Sequence, residues 1–153
     1  MAKIRNFYKN RLTLTFLVFV HCVLPTLFGG MIYVLFRPLS LRMFDWFEFI
    51  GFMDPILSIR AASENYLLLP NWFYYALPDG LWTYAFTSSF MLIWGNSTGL
   101  KYWLAIPLFL SLIPEVLQFF NLLTGTFDWN DLFFQLFGFI FSIIYFKVYK
   151  KPK

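Results

Sequence analysis

The chain has 153 residues, of which 59% are hydrophobic and only 13% charged, and its formal net charge at pH 7 is +4. Soluble domains carry roughly 25% charged residues, so this composition, with a mean hydropathy of +0.63, excludes an ordinary soluble domain and indicates an integral membrane protein. The positive charge does not indicate a nucleic-acid partner, because the basic residues gather at the two ends of the chain, beside hydrophobic segments.

The first predicted membrane span covers residues 12–36, which are almost entirely apolar. A segment of roughly this length crosses a bilayer with some tilt, and we expect it to remain uncleaved because no small-residue cleavage site is apparent. His21 lies mid-span and is predicted to be a packed, hydrogen-bonded side chain, with a proton relay as the alternative. Cys22 is interpreted as a small apolar filler.

The segment 37–71 differs because it mixes charged residues with aromatics, and few apolar residues are consecutive. This pattern predicts an amphipathic segment at the outer membrane interface. Pro55 and Pro70 are expected to break it into pieces.

Three further spans are predicted at about residues 76–94, 102–123 and 130–149, with Asp128 or Asn130 capping the last helix. The expected fold class is therefore all-α, a polytopic membrane protein with about four transmembrane helices and an interfacial segment after the first.

Four spans in one domain, residues 1–153, place both termini on the same side of the membrane. The terminal tails and Lys101 hold nine of the twelve basic residues, and the other side holds Arg37, Arg42 and Arg60. The positive-inside rule then predicts that both termini are cytoplasmic.

Polar side chains recur at helical spacing on three predicted spans, mostly toward their outer ends. Charged groups cost at least ~2.5 kcal/mol at the bilayer centre, so we expect these groups to face one another around an outward-opening acidic pocket. Arg60 or Arg42 is expected to supply counter-charge at its mouth. The candidate pocket residues are Asp79, Trp82, Glu115, Gln118, Asp128, Asp131, Gln135 and Arg60.

Each of these residues also has a structural interpretation. Glu115 could fix helix packing through a buried hydrogen bond, although such bonds contribute only ~0.6 kcal/mol on average. Asp128 and Asp131 suit a helix N-terminus, and Asp79 suits a helix start. Trp82 suits the aromatic belt of a membrane interface.

Three stretches, "LPDGLW" (77–82), "PEVLQFF" (114–120) and "GTFDWNDLFFQLFG" (125–138), resemble the VanZ-like family of membrane proteins. The likeness consists of an acid followed three positions later by Gln, Glu115 with Gln118, and of Asp128 and Asp131 leading into a last helix with Gly138. The resemblance implies a bacterial cytoplasmic (inner) membrane protein with a cell-envelope role, in a family whose namesake is associated with resistance to the glycopeptide teicoplanin. It implies no reaction mechanism.

Three functions remain open at this stage. The first is an envelope protein whose pocket engages a lipid head group or cell-wall precursor, with Glu115 as the acid or base if it is an enzyme. The second is a small proton-coupled transporter using Glu115 and His21. The third is a non-catalytic assembly subunit that docks a protein partner through residues 37–71. Membrane lipids are expected partners, whereas no cofactor, metal or nucleic acid is expected.

Overall fold

The computed structural model describes residues 11–64, 69–123 and 125–149, and every regular element within these ranges is a helix. The predicted all-α class is thus confirmed for the part of the chain described. Most of the basic residues that predict the membrane orientation lie in residues 1–10 and 150–153. These two ranges are outside the described residues. The helices are α1 (Arg11–Phe36), α2 (Arg42–Phe49), α3 (Met53–Glu64), α4 (Asn71–Tyr75), α5 (Leu77–Trp94), α6 (Leu100–Phe119) and α7 (Trp129–Tyr149).

Three of these helices are long and apolar enough to cross a membrane: Arg11–Phe36, Leu100–Phe119 and Trp129–Val148. Three such helices suggest a multi-pass membrane protein. The remaining predicted span, 76–94, coincides with α5, which is not among the three by length and composition.

Helix α5 is the central helix of the bundle and packs against α1, α6 and α7. Its buried positions hold small and weakly polar residues rather than large apolar ones, which lowers its hydropathy. These include Gly80, Thr83, Ala85, Thr87 and Ser88. A helix surrounded by other helices does not need the apolar surface that a lipid-facing helix needs.

The tightest helix pair is α5 with α7, and glycine permits their close approach. A Cβ on Gly80 would come within 2.8 Å of the Phe134 carbonyl oxygen, and a Cβ on Gly138 would overlap the Gly80 carbonyl oxygen. Further along the same contact, the fully buried hydroxyls of Ser88 and Ser142 share a hydrogen bond of 2.9 Å. Small residues and interhelical hydrogen bonds are the features that hold helices together in lipid.

Helix α1 contains a π-helical stretch at Phe19–Val23, where the Leu24 N–H donates to the Phe19 carbonyl. Pro25 explains this irregularity, because proline has no N–H to donate to the carbonyl four residues before it. The widened turn holds His21, which is buried and shares a hydrogen bond with the Tyr84 hydroxyl. The predicted packed, hydrogen-bonded histidine is confirmed.

Two residues with positive φ reverse the direction of the chain at the ends of helices. Asn121 has φ 56°, and the Leu122 N–H donates to the Leu117 carbonyl, so α6 ends at Phe119 rather than at residue 123 as expected. Gly51, with φ 73°, ends α2 in the same way. These reversals are Schellman motifs, in which a residue tolerant of positive φ lets the chain satisfy the last helical carbonyls.

The described residues of the segment 37–71, which are 37–64 and 69–71, contain α2, α3 and the start of α4. The segment is broken near Pro55 as predicted: α2 ends at Phe49, and Pro55 lies in the first turn of α3, where its missing N–H leaves no intrahelical bond unmade. Pro70 immediately precedes α4. The end of α2 presents exposed aromatic side chains, with Trp46 70% and Phe49 91% accessible.

Candidate functional site

A cavity of about 850 Å³ opens at one end of the helix bundle. Its walls come from the C-terminal ends of α1 and α6, the N-terminal ends of α5 and α7, helix α4 and the loop between α6 and α7. Seven of the eight candidate pocket residues line it: Asp79, Trp82, Glu115, Gln118, Asp128, Asp131 and Gln135. The structure therefore gathers around one space residues that are up to 56 positions apart in the sequence.

Helix α7 supplies three of these side chains in one stripe. Asp128 caps the helix, because its Oδ1 accepts from the Asn130 backbone N–H at 2.8 Å and from the Asn130 side-chain amide at 3.0 Å. Of the two expected caps, Asp128 is therefore the one used. Asp131 and Gln135 lie one and two turns deeper, and their Oδ1 and Oε1 atoms are buried without hydrogen-bond partners among the described residues.

Helix α6 supplies Glu115, which is only 5% exposed. Its Oε2 atom also has no hydrogen-bond partner in the part of the chain that the structure describes. Gln118, one turn further along, is covered by the following loop. Gly125 has φ 133° there, and a Cβ on it would lie 2.5 Å from the Gln118 amide nitrogen. The Schellman turn at Asn121 thus brings the loop back across the cavity wall.

Helix α5 supplies Asp79 in its first turn and Trp82 one turn deeper. The Trp82 indole N–H donates to the Thr26 carbonyl at 3.2 Å. Gly29 makes room for this indole, since a Cβ there would lie 2.8 Å from the indole nitrogen. Trp82 is therefore held in place between α1 and α5, where it forms part of the cavity wall.

Arg37 is the cation of the cavity, and it is not among the candidate pocket residues predicted from the sequence. Its guanidinium lies 3.7 Å from the Asp79 carboxylate and donates to the Tyr75 carbonyl at 2.9 Å. The same group lies 5.0 Å from the ring centres of both Tyr33 and Tyr75. Its position at the end of the first predicted span, at the same membrane depth as Asp79, is the sequence signal that could have identified it.

The expectation that Arg60 or Arg42 supplies the counter-charge is not met, because neither residue lines the cavity. Arg60 donates to the Val34 carbonyl at 2.6 Å, and its guanidinium lies 5.5 Å from the Phe44 ring centre. It therefore ties α3 to α1 and α2 outside the cavity.

Negative charge exceeds positive charge in the cavity. Among its described lining residues are four acids, whereas Arg37 is the one basic residue. Asp79, Glu115 and Asp131 are close enough to repel one another and to be attracted by Arg37. The helix ends at α5 and α7 add favourable partial positive charge near Asp79 and Asp131.

The partners of these acids fall into two groups. Capping accounts for Asp128, the ion pair accounts for Asp79, and the Asp128 backbone N–H donates to the Glu115 carboxylate. One oxygen each of Glu115, Asp131 and Gln135 is left without a partner among the described residues. All three of these atoms are hydrogen-bond acceptors. Chemically, the deep wall of the cavity is arranged to receive hydrogen-bond donors, and a cation most of all.

His21 does not line this cavity. It contacts the rings of Tyr84, Tyr145 and Phe146 in the bundle core, with centroid distances of 6.0, 4.3 and 5.3 Å. Among the described residues, no group of three or more His, Cys, Asp or Glu is placed to hold a metal ion.

Comparison with known proteins found no match: no family profile, no curated protein and no solved structure resembles this chain closely enough to count.

Proposed function

We propose that this protein is a VanZ-like component of the bacterial cell envelope whose acidic cavity binds the head group of a lipid or of a cell-wall precursor. In this proposal α5 is a fourth span, and the chain lies in the cytoplasmic membrane with both termini inside. The cavity then opens to the outer face.

One observation carries the proposal. Glu115, Asp131 and Gln135 line a cavity of about 850 Å³, and each keeps a buried acceptor atom that has no partner among the described residues. Leaving a buried polar group unsatisfied costs roughly 1–3 kcal/mol, and more when it is charged. A chain that keeps three of them at one cavity wall is best explained by a ligand that satisfies them.

The position of the cavity supports an amphiphilic ligand. It lies at the ends of α1, α5, α6 and α7, which is the level of lipid head groups if these helices cross the bilayer. Exposed aromatic side chains at the end of α2, such as Trp46 and Phe49, suit the adjoining interface.

The two alternative functions receive less support. A proton-coupled transporter would use Glu115 and His21 together, but His21 is not a lining residue of the cavity. An assembly subunit would explain the exposed aromatics of α2, but it gives no reason for the unpartnered carboxylates. We therefore propose binding and no catalytic step.

The test is teicoplanin susceptibility of a sensitive Gram-positive host that expresses the protein. We expect the wild type to raise tolerance and Glu115→Gln and Asp131→Asn to abolish the gain. Glu48→Gln, which alters an exposed acid of α2 outside the cavity, should behave as the wild type. Membrane levels of each variant are compared by blotting.

If the cavity variants raise tolerance as much as the wild type does at equal membrane levels, the acidic cavity has no part in the function. If the wild type itself has no effect, the link to glycopeptide tolerance is wrong.

A further inference from the structure

We infer that the ligand of the acidic cavity is an amphiphile whose head group carries a primary ammonium, such as an ethanolamine phospholipid. This inference rests on the proposed function and specifies the ligand class of the same site. Two separate features of the structure carry it: the kind of atoms left unsatisfied in the cavity and a second cleft beside it.

Most of the unsatisfied side-chain atoms of the lining residues are acceptors, since the Arg37 Nε is the one unsatisfied donor beside them in the described part of the chain. Glu115 and Gln135 are 5% and 6% exposed, and each retains an unpartnered acceptor oxygen among the described residues. Asp131 adds a third such oxygen. A primary ammonium has three N–H donors and one positive charge, so it offers one donor for each of these acceptors and a charge opposite to that of the Glu115 and Asp131 carboxylates.

Competing head groups match less well. A glycerol or sugar hydroxyl donates only one hydrogen bond and leaves the carboxylates uncompensated. A quaternary ammonium carries the charge but has no N–H to donate. Arg37 does not neutralise the deep wall fully, because it is already paired with Asp79 and bonded to the Tyr75 carbonyl.

The second feature is a cleft of about 350 Å³ between α1 and α5. It shares two lining residues, Trp82 and Phe86, with the acidic cavity, so the two spaces lie side by side. The other lining residues are Cys22, Thr26, Ala85 and Ser89.

This cleft is suited to a hydrocarbon chain although it contains hydroxyl groups. Thr26 donates to the Cys22 carbonyl at 2.7 Å, and Ser89 donates to the Ala85 carbonyl at 3.0 Å. Ser89 also lies 3.3 Å from the Cys22 Sγ of α1. Because both hydroxyls bond to protein groups, the surface presented to a ligand is largely apolar. An acidic cavity beside an apolar cleft favours an amphiphile over a soluble amine.

Binding to the purified full chain in detergent tests the inference, with isothermal titration calorimetry or Trp fluorescence as the readout. The probes are dihexanoyl phosphatidylethanolamine, the phosphatidylcholine and phosphatidylglycerol of equal chain length, and glycerophosphoethanolamine, which has the same head group without chains. The variants are Glu115→Gln and Asp131→Asn, with the exposed Glu48→Gln as the matched control.

We expect the ethanolamine lipid to bind at least about tenfold more tightly than the glycerol and choline lipids, as the loss of a charge-assisted hydrogen bond implies. Each cavity variant should remove most of this preference without weakening the binding of the glycerol lipid, whose negative charge is repelled less when a carboxylate is removed. Glu48→Gln should keep the preference. Glycerophosphoethanolamine should bind at least about tenfold more weakly than the ethanolamine lipid, since it lacks the chain that fills the cleft.

The alternative outcomes separate the inference from the function it rests on. Equal binding of all three lipids, lost in Glu115→Gln, would disprove amine recognition and leave head-group binding intact. Equal binding of glycerophosphoethanolamine and the lipid would disprove the role of the cleft. Absence of binding by every probe would contradict both the inference and the proposed function.

Discussion

Replacing Glu115 by glutamine should stabilise the protein while removing its ligand binding. Glu115 is 5% exposed, and its Oε2 has no hydrogen-bond partner among the described residues. Glutamine keeps the shape of the side chain, removes the charge, and gains two N–H donors for the nearby carboxylates of Asp128 and Asp131.

The expected gain follows from the cost of the unsatisfied atom. A buried polar group without a partner costs roughly 1–3 kcal/mol, and glutamine still leaves one acceptor in the site. We therefore expect the free energy of unfolding to rise by about 1–2 kcal/mol. For a chain of this length, that corresponds to a Tm higher by about 2–8 °C.

The assay is thermal unfolding in detergent at pH 7, followed by the fluorescence of the six tryptophans. Glu48→Gln is the control for the loss of one acidic charge at an exposed site. If Glu115→Gln instead lowers the Tm by several degrees, Glu115 is a structural partner, and the reasoning that assigns it to a ligand is refuted.

Three further predictions concern packing, charge and topology. Gly138→Ala should destabilise the fold by about 1–3 kcal/mol, because the added Cβ collides with the α5 backbone. The control Gly30→Ala should not destabilise it, because a Cβ on Gly30 meets no atom within 4 Å. Equal Tm values for the two variants would contradict the close packing of α5 and α7. Arg37→Gln should lower the free energy of unfolding by about 1–2 kcal/mol, because it leaves the half-buried Asp79 unpaired. Adding Asp79→Asn should restore most of the lost free energy. A double variant no more stable than the single one would exclude the ion pair as the cause. In a cysteine-free background, Thr126→Cys should react with an impermeant maleimide on intact cells. A cysteine at the α5–α6 turn should react only after permeabilisation. The reverse labelling pattern would show that the predicted orientation is wrong.

The acidic stripes were predictable because each depends on one local rule. Asp131 and Gln135 are four residues apart, as are Ser111 and Glu115, so helical periodicity alone puts each pair on one face. The high energetic cost of charge in lipid then predicts that these faces meet. The helix bounds of α1, α5 and α7 followed from apolar length and lie within one residue of the structure.

The features that were missed depend on tertiary contacts. The choice between Arg37 and Arg60 as the cavity cation is decided by Tyr33 and Tyr75, which hold the Arg37 guanidinium between them and are far apart in sequence. The early end of α6 depends on Asn121 adopting a left-handed conformation, which composition and hydropathy do not predict.

The cleft beside the cavity also had no sequence signal. Its walls come from α1 and α5, and they are largely apolar because the hydroxyls of Thr26 and Ser89 bond to protein groups. Periodicity identifies polar positions on a helix, but it does not tell which of them satisfy their hydrogen bonds locally.

The most direct test of the acidic cavity as a ligand site is native mass spectrometry of the wild type, Glu115→Gln and Glu48→Gln, purified side by side from the same membranes in mild detergent. The account predicts that the wild type and Glu48→Gln retain a bound amphiphile that Glu115→Gln does not, and that the retained species carries a primary amine. Equal retention of the same lipids by all three proteins would contradict the account.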